Sequence, residues 1–163
     1  MLKVSQKTEY AMRAMIELAI RRDHEGDSLV AARTLADAQH IPLRFLEQQL
    51  GALHKAGLVE SFRGAGGGCR LARDPALIRV ADVIDAIEGP LYPMNCMEDH
   101  RCFQDARCGL QGLWGDVHLA IRQVFERTTL ADLVARHRLL SERQGGSADP
   151  VVWAPSELIR PRS

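Results

Sequence analysis

Apolar side chains recur at steps of three and four between residues 9 and 22. Met12, Met15, Ile16, Ala19 and Ile20 fall on one stripe, which predicts a helix. Thr8 is placed to cap its start, and Asp23-His24-Glu25-Gly26 to end it. A second helix is predicted over about 30–39, with Leu35 and Ala36 facing inward. After a short break at His40-Ile41-Pro42 a third begins, with Pro42 at its start, where a missing N–H costs nothing. Its apolar positions are Phe45, Leu46, Leu50 and Leu53, and Gly57 closes it. Residues 58–63 and 69–73 read as two short strands around the glycine turn 64–68, a β-hairpin that Asp74-Pro75 terminates. A fourth helix, about 80–88, has Val83, Ile84 and Ile87 inside and stops at Gly89-Pro90. Residues 91–109 show no period. Leu113, Val117, Ile121 and Val124 then form one seam along a long helix over about 110–127. Thr128 or Thr129 can cap a last short helix, about 130–138, and the Gly/Pro/Arg/Ser-rich composition from Ser141 onward predicts a disordered tail.

The predicted fold class is mainly α: a winged helix-turn-helix with a two-stranded wing, plus a long dimerisation helix. The organisation predicted is a DNA-binding domain over 1–90, a cysteine loop over 91–109, the dimerisation helix and a short helix after it over 110–140, and a tail over 141–163.

At 163 residues with 46% hydrophobic side chains, the chain suits one ordinary domain with a real core, which argues against wholesale disorder. No apolar run approaches the ~18 residues a membrane span needs. Charges scattered through the first 22 residues argue against a signal or transit peptide, so a cytoplasmic location is expected, with four cysteines kept as thiols. The net charge of zero hides a segregation. Residues 1–80 carry 12 basic and 9 acidic side chains, whereas 81–109 carry 2 and 6. A basic half ahead of an acidic, cysteine-bearing stretch is compatible with a nucleic-acid-binding part and a separate sensing part.

Helix, short break, helix, hairpin is the order of a winged helix-turn-helix, whose second paired helix can enter a DNA major groove. That helix would offer Leu43, Arg44 and Glu47: Arg can bind guanine through two hydrogen bonds and Glu can accept from cytosine. In the wing, glycines such as Gly66 and Gly67 remove bulk and let the backbone approach the sugar-phosphate wall. Arg63, Arg70 and Arg73 could meet phosphates or probe the minor groove. A nucleotide-phosphate loop is the weaker reading, because no Gly-Lys-Ser/Thr comes after the glycines.

Cys96, Cys102 and Cys108 make C-x5-C-x5-C. Six residues on a helix turn about 240° net, so the three sulfurs converge only if the segment wraps around something. Thiolates select zinc, Cu(I) or iron–sulfur clusters, and zinc sites usually pair cysteines more tightly than this. An iron–sulfur cluster, a zinc site and a thiol/disulfide switch all remain open on spacing. A cluster needs a further ligand, for which His100, His118, Glu98, Asp99 and Asp105 are local candidates. Cys69 reads as a partly buried wing residue, and His54 and His137 as surface or interface residues. Nothing has the pattern of a hydrolytic triad or a paired-carboxylate catalytic site.

These motifs together resemble the Rrf2 family of bacterial transcription regulators. The carrying residues are Lys7-Thr8-Glu9-Tyr10-Ala11, Leu46-Glu47-Gln48, Lys55-Ala56-Gly57-Leu58-Val59, Arg63 with the glycines after it, Val80-Ala81-Asp82-Val83-Ile84, Glu88-Gly89 and the cysteine triplet. The resemblance implies a homodimer that binds a near-palindromic DNA operator, its long helices crossing through Leu113, Val117, Ile121 and Val124. It further implies one iron–sulfur cluster per subunit on Cys96, Cys102 and Cys108. In the family's cluster-assembly regulator the fourth ligand is a histidine three residues after the last cysteine, where this chain has Gln111. In the family's nitric-oxide sensor it is an aspartate from the first helix of the other subunit, a position Glu9 matches. The resemblance therefore implies a [4Fe–4S] cluster completed by Glu9 across the dimer, rather than [2Fe–2S]. A carboxylate, being a hard ligand, would make that iron reactive toward nitric oxide, oxygen or iron loss. A [2Fe–2S] assembly regulator and a cluster-free thiol or zinc regulator are the alternatives.

Overall fold

A computed structural model describes residues 4–92, Met97 and residues 108–144. Helix α1 (Gln6–Glu25) is the central strut. Helices α2 (Ala32–Gln39), α3 (Leu43–Lys55), α4 (Val80–Ile87) and α6 (Leu130–Gln144) pack on it. Strands β1 (Val59–Phe62) and β2 (Gly68–Leu71) form the wing, a 3-10 turn (Pro75–Leu77) comes after it, and α5 (Leu110–Arg127) lies against α4. The mainly helical winged helix-turn-helix expected from the sequence is the fold observed.

Because four helices surround α1, its buried face is broader than the predicted stripe and turned toward its small residues. Ala11, Ala14, Met15, Leu18 and Ala19 are buried, while Met12, Ile16 and Ile20 sit half-buried at the margin. Alanines at 11, 14 and 19 let neighbouring helices approach closely, which larger side chains would forbid. The helix starts earlier than predicted. Ser5 is its N-cap residue, and Thr8 is buried within the first turn. Thr8 does not cap α1 because its hydroxyl donates instead to Glu88 Oε1 at 2.6 Å.

Two other expectations are corrected. Val30 is not helical: its N–H donates to the Cys69 carbonyl at 2.9 Å and its carbonyl accepts from Cys69 N–H at 2.8 Å. This bridge sews the α1–α2 connection onto the wing, and it explains Gly68. A Cβ there would lie 2.6 Å from the Val30 carbonyl oxygen. Phe45, assigned to the core by period, is 56% exposed. The buried line of α3 is Leu46, Gln49, Leu50 and Leu53, and Phe45 falls beside it, outside the contact with α1 and α2.

The wing is an antiparallel pair in the register Val59↔Leu71, Glu60↔Arg70, Ser61↔Cys69, Phe62↔Gly68. Gly57, at φ 68°, makes the left-handed turn from α3 into β1. The last helix departs most from expectation. It runs to Gln144, so 141–144 continue it rather than begin a tail. Thr129, just before its first residue, donates its N–H and its hydroxyl to Asp132 Oδ2 at 2.9 and 2.8 Å. Leu130 and Val134 are buried in the same core as α1, and Leu130 N–H donates to the Ile78 carbonyl at 2.8 Å. This helix is therefore part of the same body as α1 rather than an appendage of α5.

No residue of α5 is buried. It is held to α4 by Arg122, whose Nη1 donates to both oxygens of Asp85 at 2.7 Å while Nε reaches Glu126 at 2.8 Å. Among the described residues no helix is long and apolar enough to cross a membrane.

Candidate nucleic-acid interface and metal centre

On α3 the side opposite the buried line carries Arg44, Glu47 and Gln48, all exposed. None of the three has a hydrogen-bond or ion-pair partner among the described residues. Such an uncommitted polar face, at the start of the second helix of the pair, is what major-groove reading needs. Gln48 is absent from the predicted set. Its place one turn after Arg44, at i+4, was the available signal. Leu43 is half-buried and packs partly against the core.

The wing divides its arginines. Arg63, at the tip, is exposed and unpaired among the described residues. Arg70 is committed inward. Its Nε donates to Glu60 Oε2 at 2.8 Å, its Nη1 to the Asp27 carbonyl at 3.3 Å, and its guanidinium lies 5.5 Å from the Phe62 ring centre. In this structure it pins the cross-strand register and braces the wing against the α1–α2 connection. Arg73 Nε donates to the Gly57 carbonyl at 3.3 Å. Gly66 takes φ 80°, and a Cβ on Gly67 would meet the Phe62 carbonyl oxygen at 2.4 Å, so both glycines serve the turn itself.

Of the cysteine triplet, Cys108 is described. It is half-buried, one residue before the Gly109 cap of α5, and its carbonyl accepts from Gln111 N–H at 3.1 Å. Cys96 and Cys102 lie outside the described residues, as do Glu98, Asp99, His100 and Asp105. His118 stacks on Tyr92, with ring centres 5.3 Å apart. Trp114, on α5, has a buried indole N–H with no acceptor among the described residues. Cys69 stands apart in β2. It is 3% exposed, its thiol donates to the Val30 carbonyl at 3.5 Å, and burial pushes its pKa up to about 11. Buried in the wing and bonded to the Val30 carbonyl, this thiol is a packing residue.

Glu9 stands on the first turn of α1, with 62% of its side chain exposed. Its contact with Arg13 is 3.6 Å long and solvent-exposed, a pairing that costs little to break. That turn is tied to the start of the cysteine segment by Glu88, the last residue before Gly89-Pro90. Glu88 Oε1 accepts from the Ser5 N–H at 3.2 Å and from the hydroxyls of Ser5 and Thr8. Burial alone would raise this carboxyl. The hydroxyl bonds of Ser5 and Thr8, the Ser5 N–H and the charge of Lys7 outweigh it and hold the pKa below the ordinary carboxylate value. A depressed folded-state pKa stabilises above the unfolded value near 4.3, and that contribution is lost as pH falls through the folded value. Glu88→Ala is therefore expected to lower stability by about 1–2 kcal/mol at pH 7. The gap to wild type should narrow as pH falls below about 4. Urea unfolding of both proteins across that range checks it, and a gap independent of pH would contradict it.

The seam of α5 is open at Leu113 and Val124, 54% and 41% exposed, and half-buried at Val117 and Ile121. Ile121 turns partly toward α4, where it lines a cleft of about 420 Å³ with Ile84, Leu91 and Phe125.

Paired helices, an uncommitted polar face and a braced wing define a winged helix-turn-helix DNA-binding transcription regulator. Comparison with known proteins agrees. The family described as Rrf2, iron-dependent transcriptional regulator, matches residues 4–136, and the chain belongs to that family. It is 34% identical over 145 residues to the HTH-type transcriptional regulator IscR of Vibrio vulnificus, covering 88% of this chain and 84% of the relative. The structure of CymR, the global cysteine regulator of B. subtilis, superposes with a TM-score of 0.71 at 34% identity, over 83% of this chain and 98% of that one. T. potens IscR superposes with a TM-score of 0.65 at 34% identity, over 91% and 94%. These relatives are transcription regulators, not enzymes.

Proposed function

We propose that this chain is a homodimeric repressor whose grip on a near-palindromic operator is governed by an iron–sulfur cluster. Cys96, Cys102 and Cys108 of one subunit and Glu9 of its twin would hold it, and [4Fe–4S] is favoured over [2Fe–2S]. The observation that carries this reading is positional. The polar face of α3 and the wing belong to a body whose α4 runs directly into the cysteine segment, and that segment leads into an α5 with an open apolar seam. The family's description as iron-dependent supports the metal.

The donor set fits. Three thiolates suit iron–sulfur chemistry, Glu9 is accessible on a weak surface pair, and Gln111 at the start of α5 offers only an amide where an imidazole would be needed for the alternative. Such a centre supplies iron able to react with nitric oxide, oxygen or a chelator. The chain's own residues couple the loop to the reading head. Glu88 fixes the start of the loop to α1, and Arg122–Asp85 fixes α5 to α4. The state of the cluster would then decide whether two α3 helices stand about 34 Å apart, the spacing of successive major grooves.

Counting iron, sulfide and zinc per chain after oxygen-free purification tests the cofactor. Iron with equimolar sulfide is expected. Zinc alone, or no metal, would favour the cluster-free thiol or zinc regulator. Mössbauer spectra of wild type and Glu9→Ala test the fourth ligand, since an unchanged spectrum in the variant would remove Glu9 from the set.

A further inference from the structure

The outer face of α3 contains more chemistry than an arginine and a glutamate. Leu46, Gln49, Leu50 and Leu53 fix which side of the helix points inward. At 3.6 residues per turn, Arg44 and Gln48 then project opposite that side, about 40° apart. Phe45 and Gln48, three residues apart, are surface neighbours on the flank away from Glu47. Phe45 is more than half exposed on the DNA-binding body, and none of the described residues covers it fully. Gln48 is exposed, with both ends of its amide uncommitted among the described residues. One turn further on, Gly51 leaves the surface low: an added Cβ would meet nothing within 4 Å. Glycine inside a helix lowers stability relative to alanine, and no contact among the described residues requires it here.

An A·T pair presents in the major groove an acceptor and a donor on adenine, N7 and N6, beside a methyl group on thymine. A glutamine amide matches the first two, and an exposed aromatic ring matches the methyl. We infer that Phe45 and Gln48 act together to read one A·T pair in each operator half-site, Gln48 on the adenine and Phe45 on the thymine methyl. Arg44 and Glu47 read the adjoining G·C content. The inference rests on α3 being the reading helix.

The test begins with duplexes selected from a randomised pool by the full-length protein under anaerobic conditions. Each A·T pair of the selected half-site is then remade with dU for dT, which removes only the methyl, or with 7-deazaadenine for adenine, which removes only N7. Wild type should lose about fourfold in affinity from the missing methyl. It should lose roughly 5- to 150-fold from the missing N7 at one and the same pair. Phe45→Ala should bind the dT and dU duplexes equally while still discriminating 7-deazaadenine, and Gln48→Ala should do the reverse. Both side chains are exposed, so both variants should fold, which circular dichroism verifies. Selected sites with no required A·T pair, or variants that keep wild-type sensitivity to both modifications, overturn the inference while leaving DNA binding intact. A protein that selects no sequence at all overturns the DNA-reading role of α3, and this inference with it.

Discussion

Cys102→Ser is expected to abolish iron binding, and with it any response of DNA affinity to nitric oxide or chelator. Serine replaces a soft thiolate with a harder hydroxyl that holds iron far more weakly. Serine at Cys96 or Cys108 should do the same. The control lies within the chain. Cys69→Ala should keep its full iron, because that thiol is buried in the wing, bonded to the Val30 carbonyl and held neutral by burial. It should lose only packing, about 1 kcal/mol by the area of one small side chain. Iron analysis and visible absorbance of the four variants distinguish the two kinds of cysteine. Iron retained in all three loop variants would contradict the assignment.

The second large effect concerns sequence preference. Arg44→Ala and Glu47→Ala should each forfeit about 1–3 kcal/mol of discrimination between correct and incorrect base pairs. Stability should move by less than about 0.5 kcal/mol, since both side chains are exposed and unpaired among the described residues. Arg63→Ala should behave differently. From the exposed wing tip it is expected to contact phosphate, in which case affinity should fall on all sequences alike and the salt slope should drop by about one. Fluorescence anisotropy on a panel of variant duplexes, at several salt concentrations, resolves these patterns. Unaltered preference in both α3 variants would remove α3 from the groove.

The elements of the DNA-binding body were legible in the sequence because local signals agreed there. Gly57, the glycine turn, Asp74-Pro75 and Gly89-Pro90 punctuate the chain where the structure turns. What period could not show was contact made at long range. Thr8 looks like a helix cap until Glu88, eighty residues away, takes its hydroxyl. Val30 reads as the start of a helix until its backbone pairs with Cys69. Phe45 reads as core because spacing reports a stripe without fixing its edges, and α3 leaves that edge uncovered. The restraints on Arg70 are not visible in a local pattern, because Glu60, Asp27 and Phe62 come from two different segments. The length of α6 was underestimated because polar residues 141–144 carry no apolar period. Their helix is anchored at its other end, by Leu130 and Val134 in the core.

The most direct measurement compares operator affinity of one anaerobic preparation before and after its iron is stripped by a chelator or exposed to nitric oxide. The selected duplex is titrated by anisotropy at fixed salt. The account predicts a change in affinity of about tenfold or more, absent in Cys102→Ser, with the treated protein still folded by circular dichroism. Affinity that is unchanged by either treatment, in a protein shown to have carried iron and sulfide at the outset, would contradict it.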